Sequence, residues 1–472
     1  MRSRNGLAQT LSNPNVEMSL PAAYLHRSVY HFTPIDNLRA ILEHGLLAIR
    51  EQKRLGLPLR SIVEVSEHPK GWWEGIQTHR ASLAVPAGPG GYANDYVPLY
   101  FCKLSPMLLS VISNKVVDEE TIIHFEFPIH ILTQYPSVFS DAAVIPGSEP
   151  HFYNHVEDLD HLNWDAIDSP AWRMPNLALR YARLAELLIF RQMPVSAAVR
   201  LIVWDNEAAR QVAEVYAALQ LKAPHIETDP SCYFIDPNAR ELTPAVRGPK
   251  GIYQIYQKTV AELSKELGMA NVPRFANLEA LLQALRKDMH CLPETAELAG
   301  LESDNRAHFE DVGAHTRRVV AELLKTPEYL RLPPSDQLLV EVAAFLHDIG
   351  KGHKQRWAQT GGKQQIDFDH PVKGMPMVAR ILTQEVDRVS LPEADLLCKL
   401  VAYHDIIGGV LTSGRRLEEL QSIISSERDL DMLLALSRAD ASAINPDWIV
   451  SQQRAALRQA ALANLTKIAL KP

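Results

Sequence analysis

The chain has 472 residues, a formal net charge of −8, 46% hydrophobic residues and 22% charged residues. This length predicts two or three domains with cores of their own, and the composition is that of a soluble globular protein. The acidic balance excludes a protein that coats nucleic acid by overall charge, so any such contact requires a local basic patch. The four cysteines lie far apart, which indicates reduced thiols. With neither a signal peptide nor a run of about 20 apolar residues, we expect a cytoplasmic protein without a membrane partner.

The front half of the chain mixes helix and strand patterns. Apolar residues recur at helical spacing from Ile35 to Leu47, with Asp36 and Asn37 as capping residues and Gly45 near the end. The runs YVPLYF, TIIHFEF and VRLIVWD are β-branched and aromatic and predict strands. The run ELLIF, which begins at Glu186, fits either a strand or a short helix. The sequence has neither a GxGxxG motif nor a P-loop motif. It therefore supports neither a Rossmann dinucleotide-binding fold nor a P-loop nucleotide site.

The rear half is predicted to be helical. Proline and glycine become frequent between Asp236 and Gly251, and strand patterns almost vanish beyond that point. We therefore predict a first domain over 26–240, a linker with connecting helices over 241–300, and a second domain over 301–460. The expected fold class is α+β, with an N-terminal domain built on central β-sheets and an all-α domain behind it.

One acid, Glu186, stands inside the apolar run AELLIF. Burying a carboxylate is costly unless another group binds it. The acid could face solvent on an edge strand, form a buried ion pair with a cation such as Arg183, or act in catalysis. Arg80, in IQTHR, is equally open, because a surface position on a helix is the usual one for an arginine.

Histidine and aspartate recur through the rear half in GAHT, FLHDIGK, FDHP, AYHD and SRADA. Imidazole and carboxylate ligands suit a divalent metal such as Mn, Fe, Co, Ni, Zn or Mg, with water completing the shell. Such a metal lowers the pKa of its bound water and supplies hydroxide for attack on phosphorus. The alternative is a helical domain whose histidines are incidental.

Over about residues 300–450, these motifs resemble the HD phosphohydrolase superfamily. The resemblance implies four metal ligands, His315, His347, Asp348 and Asp440. It also matches His370 and His404 to the histidines that handle a second metal or a phosphate, and it puts Lys351 close to the phosphate. The layout is most similar to the HD domains attached to bacterial tRNA nucleotidyltransferases. This implies either a metal-dependent phosphohydrolase or a metal-bound regulatory domain.

Over about residues 28–235, the front half resembles DarT, the NAD-dependent ADP-ribosyltransferases that modify a base in single-stranded DNA. The resemblance is carried by YHFTPIDNLRAIL, the block from IQTHR through DYVPLYFCKLSPML, VFSD, LNWDAI and AELLIFRQMP. It implies NAD contacts from His31, Phe32, Thr33, Ala40, Arg80 and Tyr100. Glu186 matches the catalytic glutamate, and Arg80 matches the arginine that assists deprotonation of the base. Pro34 and Ala40 depart from the histidine and glycine that are common in the family.

The two resemblances together imply an enzyme that ADP-ribosylates a base, thymidine by similarity, in single-stranded DNA. The implied setting is a toxin–antitoxin or phage-defence system, with a separate antitoxin as a partner. The locally basic stretch from Arg50 to Arg60 could contact the strand, although a solvated charge run explains it equally well. The alternative function is RNA or tRNA end processing with an HD phosphatase or phosphodiesterase activity.

Overall fold

A computed structural model describes residues 19–57, 72–269, 272–304, 310–448 and 451–469 of the chain. The chain folds into two compact units. Of the described residues, the front unit takes 19–57, 72–113 and 117–246, and the rear unit takes 114–116 and everything from 247 onward. The basic stretch predicted between Arg50 and Arg60 ends at 58–60, which lie outside the described residues.

The front unit is built on one eight-stranded sheet with the order β10-β9-β4-β1-β3-β7-β5-β6. β9 and β10 pair in parallel, and the other neighbours pair antiparallel. A separate antiparallel pair is formed by β2 and β8. The strands are β1 Ser28–Pro34, β2 Leu46–Leu47, β3 Tyr96–Tyr100, β4 Ile122–Pro128, β5 Ser137–Ser140, β6 Phe152–Tyr153, β7 Glu186–Phe190, β8 Gln192–Met193, β9 Arg200–Val203 and β10 His225–Thr228.

The predicted strands are confirmed, and ELLIF is the strand β7 rather than a helix. β7 lies between β3 and β5, inside the sheet. Its first four residues, Glu186 to Ile189, are all buried. A strand buried on both faces has a continuous apolar run instead of an alternating one, which explains why its periodicity was ambiguous in the sequence.

The helices of the front unit are short. The helix predicted from Ile35 starts as a 3₁₀ turn over Ile35–Asn37, continues as an α-helix to His44, and ends at Gly45, whose φ is +78°. Asn37 does not cap it, because its side-chain amide donates to Thr33 Oγ1 at 3.0 Å. The α-helices are α1 Leu38–His44, α2 Ile49–Arg54, α3 Trp72–Ser82, α4 Pro106–Ser113, α5 Ile131–Gln134, α6 Trp164–Ile167, α7 Leu177–Arg183 and α8 Asn206–Ala218.

The rear unit is helical around one apolar core, and the α+β fold class is confirmed. A three-residue parallel pair, β11 Phe275–Asn277 with β12 Val386–Arg388, is too short to leave a pattern in the sequence. The α-helices are α9 Pro249–Glu266, α10 Leu278–Lys287, α11 Pro293–Ala296, α12 Val312–Leu323, α13 Pro327–Arg331, α14 Pro334–Leu346, α15 His370–Lys373, α16 Met375–Arg380, α17 Leu391–Ala402, α18 Ile406–Gly408, α19 Leu417–Ile423, α20 Glu427–Ile444 and α21 Ser451–Ala469.

The helices of the described ranges differ from membrane spans in length or composition. No single helix there is long and apolar enough to cross a membrane. One pair of segments, Leu391–Ala402 and Ile406–Ser413, passes by length and composition together but is bent by 46°.

Candidate active sites of the two units

Glu186 begins β7 with only 1% of its surface exposed, so it is not a solvent-facing acid on an edge strand. Its carboxylate accepts two hydrogen bonds from Arg80 Nη1, at 3.1 and 2.9 Å. Arg80 lies on α3 and is 6% exposed, so it is not a surface arginine. Arg183 is not the partner of Glu186, because its guanidinium donates to the carbonyls of Leu104 and Ala171. Glu186 therefore forms a buried ion pair with Arg80.

An aromatic surface adjoins this pair. Tyr100 on β3 is directly opposite Glu186, and its ring stacks on Phe32 at a centroid distance of 5.8 Å. Burial, reinforced by the charge of Glu186, raises the pKa of the Tyr100 hydroxyl well above its ordinary value, so this phenol stays protonated at neutral pH. The structure thus gathers Phe32, Arg80 and Tyr100, three of the predicted NAD contacts, around the predicted catalytic glutamate.

The other predicted NAD contacts are His31, Thr33 and Ala40. Side chains alternate along a strand, so His31 and Thr33 face the side of β1 opposite to Phe32. His31 Nδ1 lies 3.0 Å from the carbonyl of Pro98, and burial lowers the pKa of its imidazole. Ala40 is half-buried on α1. The roles of His31, Thr33 and Ala40 in binding NAD stay predictions.

Two further residues, Val144 and Ser140, contact the ion pair. The peptide of Val144 donates its N–H to Glu186 Oε1 at 3.3 Å, and its carbonyl accepts from Arg80 Nη1 at 3.4 Å. The hydroxyl of Ser140 accepts from the main-chain N–H of Glu186 at 3.2 Å. A main-chain group leaves no signal in a sequence, but Ser140 lies within VFSD, one of the pieces that carry the resemblance.

Another buried histidine, His124 on β4, adjoins Phe32. Its ring lies 6.1 Å from Phe32 and 5.0 Å from Tyr233, and within the described part of the chain neither ring nitrogen has a hydrogen-bond partner. Burial, with a smaller effect of His31, lowers the pKa of His124 to about 3. This imidazole is therefore neutral at physiological pH.

The rear unit brings the predicted metal ligands together as two groups. The donor atoms within each group all lie within 4.8 Å of one another. The groups are His315, His347 and Asp440, and Asp348, His370 and His404. Asp348 stands between them, because its Oδ2 is 3.4 Å from His347 Nε2 while its Oδ1 is 3.1 Å from His370 Nε2.

The charges of this cluster are strongly coupled. Burial opposes ionisation of Asp348, but His347 and Lys351 outweigh it and hold its pKa well below the usual range. Burial also works to lower the pKa of His347, and the Asp348 carboxylate outweighs it and raises that pKa. Burial and the neighbouring histidines lower the pKa of His404 to about 4. An ionised Asp348 and a neutral His404 are in the protonation states that metal binding requires, whereas the raised pKa of His347 works against it.

The donor set fits a divalent metal. Imidazole nitrogens and carboxylate oxygens are the ligands that Zn, Mn, Fe, Co and Ni share. His347 Nε2 is fully buried and makes no hydrogen bond to any residue that the structure describes, although Asp348 Oδ2 lies 3.4 Å away. A buried polar atom without a hydrogen bond is unfavourable, and a metal ion would satisfy it. His347 Nδ1, at 2.8 Å from the carbonyl of Ala344, is held so that Nε2 points into the cluster.

Two neighbours of the HD pair complete the site. Lys351 Nζ lies 2.6 Å from Asp348 Oδ2. At Gly350, an added Cβ would lie 1.9 Å from the carbonyl oxygen of His370. The loop after His347-Asp348 therefore packs against α15 at a distance that glycine alone permits.

Comparison with known proteins gives separate matches for the two halves. The family model described as "ssDNA thymidine ADP-ribosyltransferase, DarT" matches residues 30–234, and the HD domain model matches residues 307–427. Asp440, a member of the first metal group, lies beyond the second match.

The curated relatives each match less than half of this chain. A DNA ADP-ribosyl transferase of Thermus sp. (strain 2.9) is 31% identical over 192 residues, which are 40% of this chain and 86% of the relative. The protein of the same description from Thermus aquaticus (strain ATCC BAA-2747 / Y51MC23) is 30% identical over 214 residues, 44% of this chain and 88% of the relative. The solved structure of Thermus sp. 2.9 DarT in complex with ADP-ribosylated ssDNA has 29% identity, covers 44% of this chain and 96% of its own, and gives a TM-score of 0.39.

Proposed function

Because this chain belongs to the DarT family of DNA ADP-ribosyltransferases and carries an HD domain in its rear half, we propose that it transfers the ADP-ribose of NAD to thymidine in single-stranded DNA. The observation that supports this most directly is the buried pair of Arg80 and Glu186 beside the stacked rings of Phe32 and Tyr100.

Glu186 is the catalytic carboxylate of the proposal. When the bond between the ribose and nicotinamide breaks, nicotinamide leaves with the electron pair and positive charge develops on the anomeric carbon. A carboxylate that holds the ribose hydroxyls stabilises this charge, and the effect is largest where water is excluded. The almost complete burial of Glu186 meets that condition.

Arg80 serves the acceptor side of the reaction. The imide nitrogen of thymine attacks the anomeric carbon and its proton is released to solvent; as the proton departs, negative charge builds up on the base. A guanidinium stabilises that charge but is a poor proton acceptor, because it already carries its full set of protons. Arg80 Nη1 is committed to Glu186 and Val144, whereas Nη2 has no hydrogen-bond partner in the described ranges. This second nitrogen is therefore the one that would donate to the base.

The acceptor is single-stranded in this proposal. The imide edge of thymine is engaged in base pairing in a duplex, so an enzyme that reacts there needs the base unpaired or extruded. We further propose that the modification acts in the cytoplasm as a toxin or as a phage defence, with a separate antitoxin as its partner.

The rear unit is proposed to hold one or two divalent metal ions and to act as a phosphohydrolase or a regulatory domain. The proposed ligands are the two groups that share Asp348. A bound metal would supply an activated water and a Lewis acid at phosphorus. Lys351, which is paired with Asp348, is the residue proposed to contact a phosphate oxygen. RNA or tRNA end processing, the alternative function, draws on this rear unit.

The decisive experiment separates nucleic acids by type. The full-length protein is incubated with NAD labelled in its ADP-ribose and, separately, with single-stranded oligonucleotides of thymidine, cytidine, adenosine and guanosine, with duplex DNA and with tRNA. We expect label on the thymidine oligonucleotide and little on the duplex.

Two other outcomes are informative. Label confined to tRNA would favour the end-processing alternative. Label on the guanosine oligonucleotide would show that guanosine, and not thymidine, is the acceptor. Mass spectrometry of the labelled oligonucleotide should show one ADP-ribose attached to the base. The same incubation with Glu186→Gln controls for label that reaches DNA without this site.

A further inference from the structure

The chain between Ser140 and Val144, called here the 140–144 turn, touches both members of the Arg80–Glu186 pair. We propose that Ser140 is a positioning residue, which fixes this turn so that it holds Glu186 and Arg80 in the geometry needed for transfer. The proposal rests on the function proposed above, in which Glu186 and Arg80 contact the reacting groups.

Ser140 links the turn to β7 through one hydroxyl. It ends β5 and has none of its surface exposed. Its Oγ accepts from the main-chain N–H of Glu186 at 3.2 Å and donates to the carbonyl of Ala142 at 2.8 Å. The hydroxyl therefore uses both its donor and its acceptor capacity, and it spans from the backbone of the catalytic residue to the middle of the turn.

Val144, at the far end of the turn, contacts the side chain of Glu186. Val144 donates its N–H to the Glu186 carboxylate and accepts from Arg80 through its carbonyl, at 3.3 and 3.4 Å. The main-chain N–H of Ala143 donates to the carbonyl of Tyr181 at 2.9 Å, which anchors the turn against α7. Glu186 is thus held at its backbone by Ser140 and at its carboxylate by Val144.

This arrangement matters because both Val144 contacts lie at the long end of the hydrogen-bond range. A small displacement of the turn would lengthen both hydrogen bonds at once. The Glu186 carboxylate and the Arg80 guanidinium would then no longer be held in position by the same residue. A displacement of about 1 Å at a reacting group can lower a rate about 100-fold. Both side chains are retained when the turn moves, so the expected damage is to the chemical step more than to binding.

Ser137 provides a matched control on the same strand. It is 2% exposed, and its hydroxyl donates to the carbonyl of Leu132 at 3.3 Å, without contact to the ion pair. Replacing either serine by alanine removes one buried hydroxyl from β5. A role in folding alone predicts the same consequences for both variants, whereas positioning predicts a difference in catalysis.

The experiment compares Ser140→Ala and Ser137→Ala in the full-length protein. Transfer from NAD to a thymidine oligonucleotide gives kcat and KM, and thermal unfolding gives Tm. For Ser140→Ala we expect kcat to fall about 10-fold to 100-fold while KM for NAD stays close to that of the wild type. Ser137→Ala should show a comparable change in Tm and a wild-type kcat. Equal values of kcat for the two variants would overturn the proposal.

A second measurement does not depend on transfer activity. In crystal structures of the wild type and of Ser140→Ala, we expect the Val144 peptide to move by more than about 0.5 Å, which is the tolerance of a productive site, and to release one of its two contacts. If the wild type transfers nothing, the proposed function fails, but this comparison still tests positioning. Unchanged positions of Val144, Glu186 and Arg80 in Ser140→Ala would refute it.

Discussion

The two candidate sites handle buried charge in opposite ways. In the front unit, the carboxylate of Glu186 is matched by one guanidinium and one peptide N–H, so its charge is balanced by the protein itself. In the rear unit, two aspartates and four histidines converge, and His347 Nε2 lies buried without a hydrogen bond from any described residue. In the first site the two opposite charges are already paired and Arg80 Nη2 is left to bind a ligand, whereas the second site offers six potential ligand residues to a cation.

This difference separates the kinds of chemistry that the units suit. A self-balanced pair can hold an organic substrate and steer charge that appears during the reaction. A cluster with a surplus of ligand atoms can hold a metal whose own charge dominates the site. Substitutions at the two sites test this difference.

Glu186→Gln removes the negative charge of the front site, keeps the size of the side chain and leaves Arg80 without its ionic partner. Because the carboxylate is proposed to stabilise the developing positive charge, kcat for transfer should fall about 100-fold to 1000-fold. Glu214→Gln is the control, since Glu214 is exposed on α8 and lies in an ion pair with Arg210. The comparison breaks if both variants transfer ADP-ribose at the same rate.

His347→Ala removes a ligand from the rear site. We expect the affinity for a divalent metal to fall by more than the roughly 100-fold loss that is common for residues behind the ligands. Metal content by mass spectrometry and titration calorimetry measure this, with the exposed His290→Ala as the control. Transfer by the front unit should persist in a chelator; loss of transfer there would show that both sites depend on a metal.

Gly350→Ala tests the packing behind the metal ligands. The added Cβ would lie 1.9 Å from the His370 carbonyl, so α15 must shift and carry His370 with it. We expect metal affinity to fall about 10-fold to 100-fold. At Gly408 an added Cβ meets nothing within 4 Å, so Gly408→Ala should bind metal like the wild type.

His124→Phe has the smallest expected effect, a change in the pH dependence of stability. The pKa of His124 is lowered to about 3 in the folded protein from 6.5 in a model peptide, so the unfolded chain takes up its proton first. Its contribution to stability is therefore full above pH 6.5 and declines as the pH falls toward 3. Denaturant unfolding between these limits should give a flatter acid limb for the variant. An unchanged slope would show that this imidazole is not held neutral.

Much of the fold followed from local patterns. The strands YVPLYF and TIIHFEF and the helical rear half were predictable because each has its own periodicity or composition. The pairing of strands was not, and it decides which side chains share a face. Through the pairs Tyr30 with Tyr100 and Tyr100 with Glu186, the sheet sets Phe32 on the side of the glutamate and His31 on the other. A strand pattern shows alternation but not which face meets which neighbour.

The sites show the same division. Glu186 stood out because an acid in an apolar run is unusual, and its partner could not be found from spacing, since Arg80 precedes it by 106 positions. The histidines and aspartates of the rear unit were visible as motifs, but the division into two groups around Asp348 depends on where helix ends meet. Ser140 and Val144 act through a hydroxyl and a peptide, which no composition reveals.

The ion pair of Arg80 and Glu186 also constrains how this chain can change over generations. Loss of either residue alone leaves a buried charge without its partner, at a cost of about 3–5 kcal/mol, whereas replacing both together can be nearly neutral. Positions 80 and 186, which lie on a helix and on a strand, are therefore expected to change together during evolution. Among descendants that have abandoned the activity, we expect both residues to be replaced, and a survey that commonly finds one of them retained alone would contradict this.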